Sequence, residues 1–103
     1  MYRLVERGEV MYGHYRQYLE VFSEIVAVQR ARGWQESSLW APTFGKGNEV
    51  VTITEYPDLA SLQRETDVAG SDGEFMALYR SQAEHVVQGS VYSELLEPAP
   101  HVV

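Results

Sequence analysis

Gly45-Lys-Gly-Asn-Glu-Val-Val-Thr-Ile-Thr-Glu-Tyr-Pro-Asp-Leu-Ala-Ser-Leu-Gln-Arg64 decides the fold. The glycines at 45 and 47 form a tight turn. Val50 to Thr54 is an unbroken β-branched run, so Glu49 to Tyr56 reads as a strand. Pro57 stops that strand, and Asp58 stands where a carboxylate caps a helix whose first apolar residues are Leu59 and Leu62. A hairpin turn, a strand and a capped helix therefore follow one another at the middle of the chain.

Working outward, Tyr2 to Glu9 reads as a first strand. From about Tyr12 to Arg32, the residues Tyr15, Tyr18, Leu19, Phe22 and Val26 recur at helical spacing. Arg30, Arg32 and Gly33 supply a cationic last turn and a glycine stop. Trp34 to Ala41 is expected to form the second strand, ended by Pro42. Val68 to Gly73 reads as an interruption, Glu74 to Glu84 as renewed helix, and Val86 to Leu96 as the last strand. The order βαββαβ is the split arrangement of a ferredoxin-like α+β fold, with both helices on one face of a four-stranded antiparallel sheet. One domain over residues 1–97 and a tail over 98–103 are expected.

The composition narrows the function classes. The chain has 103 residues, a formal net charge of -7 and no cysteine. Nucleic acid and anionic membrane surfaces are disfavoured partners for such a charge. The missing cysteines exclude disulfides, thiol nucleophiles and thiolate metal sites, and fit a cytoplasmic location. No apolar run approaches a membrane span, and the first residues lack the layout of a signal peptide. The three histidines have no metal-ligand spacing, so neither a metal nor another cofactor is expected.

A sheet with helices on one face leaves the other open. In the third strand Val51 and Ile53 point one way, and Val50, Thr52, Thr54 and Tyr56 the other. The second strand carries Trp34, Glu36, Ser38 and Trp40 on one side. Neither face is simply polar, and two tryptophans, a tyrosine and β-branched residues do not suit a solvent-facing sheet, so the open face is expected to be covered by a second copy of the chain, a homodimer meeting around a cavity. Thr52, Thr54 and Tyr56 are assigned to that partner-facing side.

The chain resembles the dimeric α+β barrel superfamily and, within it, NIPSNAP-like proteins. The resemblance runs from Tyr2 to about Leu96. It rests on Gly33, Trp40, Gly47-Asn48, Tyr56, Asp58, Arg64 and the acidic-aromatic helix start Asp72-Gly73-Glu74-Phe75. It implies a dimeric α+β barrel with a ligand pocket. Within the superfamily it also implies cofactor-free monooxygenases, lactone isomerases and haem-degrading enzymes. The haem-degrading type needs an asparagine near the pocket, and the only one here is Asn48, in a turn.

The expected ligand is a small, largely apolar or aromatic molecule. Candidate catalytic residues are Glu36, Tyr56 and His85. A strand carboxylate beside apolar surface can gain basicity, as Glu36 or Glu55 would, and an imidazole is a base near neutral pH. Candidate ligand-binding residues are Tyr12, Tyr15, Trp40, Thr52, Thr54 and Arg64. Tyrosines bury a ring while presenting a hydroxyl, and Arg64 can hold an anion. Two readings follow: a ligand-binding protein, whose enzymatic form is a cofactor-independent monooxygenase or isomerase, and a non-catalytic structural or interaction domain.

Overall fold

The computed structural model describes residues 1–100. The elements are β1 (Tyr2–Glu9), α1 (Tyr15–Arg32), β2 (Ser38–Trp40), β3 (Glu49–Tyr56), α2 (Leu59–Gly70), α3 (Gly73–Ala83) and β4 (Tyr92–Leu96). The four strands form one sheet in the order β2-β3-β1-β4, with every neighbouring pair antiparallel. The topology is α+β in roughly ferredoxin-like order, with three helices where two were expected. The expected barrel is not present. β2 and β4 are the two edges of a single open sheet and do not pair with each other. With only three residues in β2 and five in β4, the edges offer little backbone for closure.

Local chemistry explains most of the boundaries. α1 stops at Gly33, whose φ of 74° is left-handed and open to glycine at little steric cost. Asp58 and Asp72 cap α2 and α3, accepting the backbone N–H groups of Ser61 and Phe75. α2 continues to Gly70, so the expected interruption shrinks to Ser71 and Asp72. The expected second strand is mostly loop because its first residues are bound elsewhere. Trp34 packs edge-on against Phe75 at 5.6 Å, the Gln35 amide donates to Glu65 Oε1, and Ser37 is held by Gln29.

The register settles which residues share a face. Leu4 pairs with Thr54, Glu6 with Thr52 and Gly8 with Val50. On the other side Glu6 pairs with Ser93, and Leu39 pairs with Thr52. This face lies under the helices, where Val10, Tyr18 and Val50 form a buried core joined by Leu39 and Val86. A Cβ on Gly8 would meet Val91 Cγ2 at 3.2 Å, so a larger residue there requires Val91 to give way. The opposite face carries Val5, Val51, Ile53, Trp40 and Tyr92 among the ion pairs Arg3–Glu55, Arg7–Glu49 and Arg7–Glu94. No helix among the described residues is long and apolar enough to cross a membrane.

Candidate functional site

Two adjoining clefts open between the sheet and the helices. One, of about 310 Å³, reaches from Leu4 and Thr54 to Phe22, Trp34, Ala69 and Phe75. The other, of about 560 Å³, runs from Gly8 and Val50 to Met11, Tyr18, Val86 and Val91. Glu6, Thr52, Tyr79 and Gln82 line both and form the waist between them. The walls are mostly apolar, and polar side chains line both the waist and, in the smaller cleft, the side formed by Gln29, Gln35, Ser37, Thr54 and Glu65, a mixture typical of small-molecule sites.

Each waist residue has a simple structural origin. Glu6 is brought to the helix side by the alternation of β1, in phase with Leu4. Thr52 stands beside it on β3. Tyr79 and Gln82 are three residues apart on α3 and therefore share a face. Phe75 stacks on Tyr79 with ring centroids 6.3 Å apart, and Trp34 closes the row at its α1 end. Arg32 binds Asp72 at 2.8 Å and Glu74 at 3.2 Å, fixing α3 against the end of α1.

The electrostatics centre on Glu6. Burial raises its carboxyl pKa, and hydrogen bonds from the Tyr79 and Ser93 hydroxyls act against that rise without cancelling it. The phenols around it respond in turn. The Glu6 charge, then burial, raises the Tyr79 pKa. Tyr18 is pushed up to about 12 by burial, with smaller contributions from Glu6, Tyr15 and Tyr79. Burial, then Glu65 and Glu6, raises Tyr56. Gln82 Nε2 is buried with no hydrogen-bond partner in the protein, leaving a donor at the waist for an acceptor on a bound molecule.

The residues singled out from the sequence fall into two sets. Thr52, Thr54 and Tyr56 line the smaller cleft, with Thr54 Oγ1 2.7 Å from Ser37 Oγ. They face the helices rather than the open side of the sheet. The others lie outside both clefts. Glu36 is exposed in the loop before β2 and forms a two-pronged pair with Arg30, which lowers its pKa. Glu55 pairs with Arg3 on the open face. Trp40 also stands on that face, its indole N–H donating to Ser38 Oγ. Tyr12 and Tyr15 are exposed before and at the start of α1. Arg64 points along α2 to the Ser61 hydroxyl. His85 follows α3 and meets His14, and His101 lies outside the described residues. Glu6 and Gln82 are functional-site candidates that no sequence motif marks. The signal for Glu6 was its strand phase, which it shares with Leu4.

The sequence profile of the NIPSNAP family matches residues 10–101. The chain belongs to the NIPSNAP family. No curated protein matches it. Among solved structures, it resembles an uncharacterized NIPSNAP domain protein from Burkholderia xenovorans, with a TM-score of 0.78 at 15% identity, covering 100% of this chain and 99% of that one. An antibiotic biosynthesis monooxygenase gives a TM-score of 0.74 at 19% identity, covering 97% of this chain and 100% of that one. A variant of SnoaB, a cofactor-independent oxygenase from Streptomyces nogalater, gives 0.71 at 18% identity, covering 98% of this chain and 95% of that one. These likenesses establish a shared fold.

Proposed function

We propose that this NIPSNAP-family protein binds a small, largely apolar or aromatic molecule between the sheet and the helices. The observation that carries the reading is the waist. A carboxyl of raised pKa, a tyrosine hydroxyl and an unpaired amide donor converge where two apolar clefts meet. A ligand with an acidic hydroxyl and apolar rings suits this surface. The hydroxyl donates to Glu6, and the rings fill the space beside Phe22, Trp34 and Phe75. Isothermal titration with 1-naphthol tests the reading. Binding to the wild-type chain, lost in Thr52→Phe with an unchanged circular dichroism spectrum, supports it. Equal binding by both proteins contradicts it.

A second reading, a cofactor-independent oxygenase or isomerase, is supported by Glu6 together with the fold shared with two oxygenases. An ionised Glu6 accepts a proton from an enolisable or phenolic substrate, and its raised pKa strengthens it as a base. Tyr79 steadies the carboxylate before transfer, while the aromatic walls limit water. The absence of cysteine supports a cytoplasmic setting for either reading. The open face, with Val51, Ile53 and Trp40 between ion pairs, supports a homodimer in which two open sheets pack face to face. Sedimentation across a concentration series tests this, and a monomer at every concentration contradicts it.

A further inference from the structure

We propose that His14 and His85 form a two-histidine site for a divalent transition ion, Cu²⁺ or Ni²⁺. The residues are 71 positions apart in sequence, yet their Nδ1 atoms lie 3.0 Å from each other. The rings are tilted by 50° with centroids 5.3 Å apart, and both side chains are half-buried. The backbone beneath them is held in place. Met11 N–H donates to His85 O at 2.9 Å, His14 N–H to Met11 O at 3.0 Å, and Val87 N–H to Glu9 O at 2.8 Å. Val10 and Val86 add a β-bridge beside them. The two imidazoles are therefore set by a fixed frame rather than by free rotation of two loops.

The close approach of the two nitrogens favours adjacent positions on one ion. Imidazole nitrogens bind at about 2.0–2.1 Å, so two of them 3.0 Å apart subtend about 91–97° at a shared metal. That is the angle of adjacent ligands in a square-planar or tetragonal complex, the preference of Cu²⁺ and Ni²⁺. A tetrahedral Zn²⁺ would need the nitrogens about 0.3–0.4 Å further apart. Without an ion, one Nδ1–H donates to the other ring. On binding, that proton moves to the Nε2 of the same ring, both Nδ1 lone pairs turn to the ion, and no net proton is lost. No group of three or more histidine, cysteine or acidic side chains suited to a metal occurs among the described residues. Water or an added ligand therefore completes the shell. The ion staples the start of α1 to the end of α3, next to Met11, Ala83 and Val86 at the rim of the larger cleft.

The test adds CuCl₂ or NiCl₂ to the full chain carrying His101→Ala, so that the tail imidazole cannot contribute. The expected result is a rise in melting temperature that EDTA reverses. His14→Ala or His85→Ala should each weaken binding by about tenfold or more, because one of the two protein ligands is gone. Electron paramagnetic resonance of the Cu²⁺ form of the His101→Ala protein should show two nitrogen donors. This readout stays informative if a histidine variant folds poorly. Unchanged affinity in both variants, a spectrum without two nitrogens, or no binding at millimolar ion would overturn the proposal.

Discussion

Gln29→Leu tests the packing that shapes the smaller cleft. Gln29 is 8% exposed on α1. Its Nε2 donates to Ser37 Oγ at 2.9 Å, and its Oε1 accepts the Ser37 amide at 2.9 Å. Ser37 Oγ is also 2.7 Å from Thr54 Oγ1, so one glutamine ties the loop before β2 to the centre of β3. Leucine has nearly the same volume, which keeps any cavity small. Stranding the Ser37 amide costs about 1–3 kcal/mol, and weakening the hydroxyl, which keeps Thr54, adds about 0.5 kcal/mol. The extra apolar burial returns about 1 kcal/mol. The net loss is about 0.5–2.5 kcal/mol, or roughly 2–20 °C in melting temperature for a domain near this size. Urea and thermal unfolding followed by circular dichroism measure it. A loss below about 0.5 kcal/mol, within the range of an ordinary surface substitution, would refute the reasoning. Thr54→Val should be non-additive with Gln29→Leu, because both act through Ser37.

Three further outcomes follow from the titrating groups. Because the folded pKa of Glu6 is raised, its contribution to stability is full below the unfolded value and is lost as pH rises through the folded one. Glu6→Gln should therefore match the wild type at acid pH and exceed it near neutrality in urea unfolding. Asp72 has the opposite sign. The Arg32 hydrogen bond, then the Phe75 amide, lowers its pKa, so its stabilisation is present above the unfolded carboxyl value and fades as pH falls through the folded one. Asp72→Ala should lower the melting temperature at neutral pH, with the difference shrinking in strong acid. In an ultraviolet absorbance titration, one phenol should ionise at about 12, and Tyr18→Phe should remove that step.

Some of this structure is legible in the chain. β3 has the expected bounds because five β-branched residues, Val50 to Thr54, form its body and Pro57 stops it, and α1 ends as expected because Gly33 admits a left-handed turn. β2 falls inside the expected Trp34–Ala41 span, but its late start at Ser38 is not legible, since Trp34, Gln35 and Ser37 are bound by Phe75, Glu65 and Gln29 rather than by a neighbouring strand. Sheet closure depended on how the edges pair, which no local pattern encodes. The common phase of Thr52, Thr54 and Tyr56 could be read from alternation, but their side could not, because both faces mix apolar and polar residues. Glu6 looked like any strand carboxylate until Tyr79, Ser93 and the cleft were placed around it. The His14–His85 contact arises only in three dimensions.

The cleft claim is tested most directly by backbone amide NMR of the chain titrated with 1-naphthol. Shift changes should gather at Glu6, Thr52, Thr54, Tyr79 and Gln82, and Glu6→Gln should weaken the binding. Changes confined to Val5, Val51 and Ile53 on the open face, or no change at all, would contradict a binding site between sheet and helices.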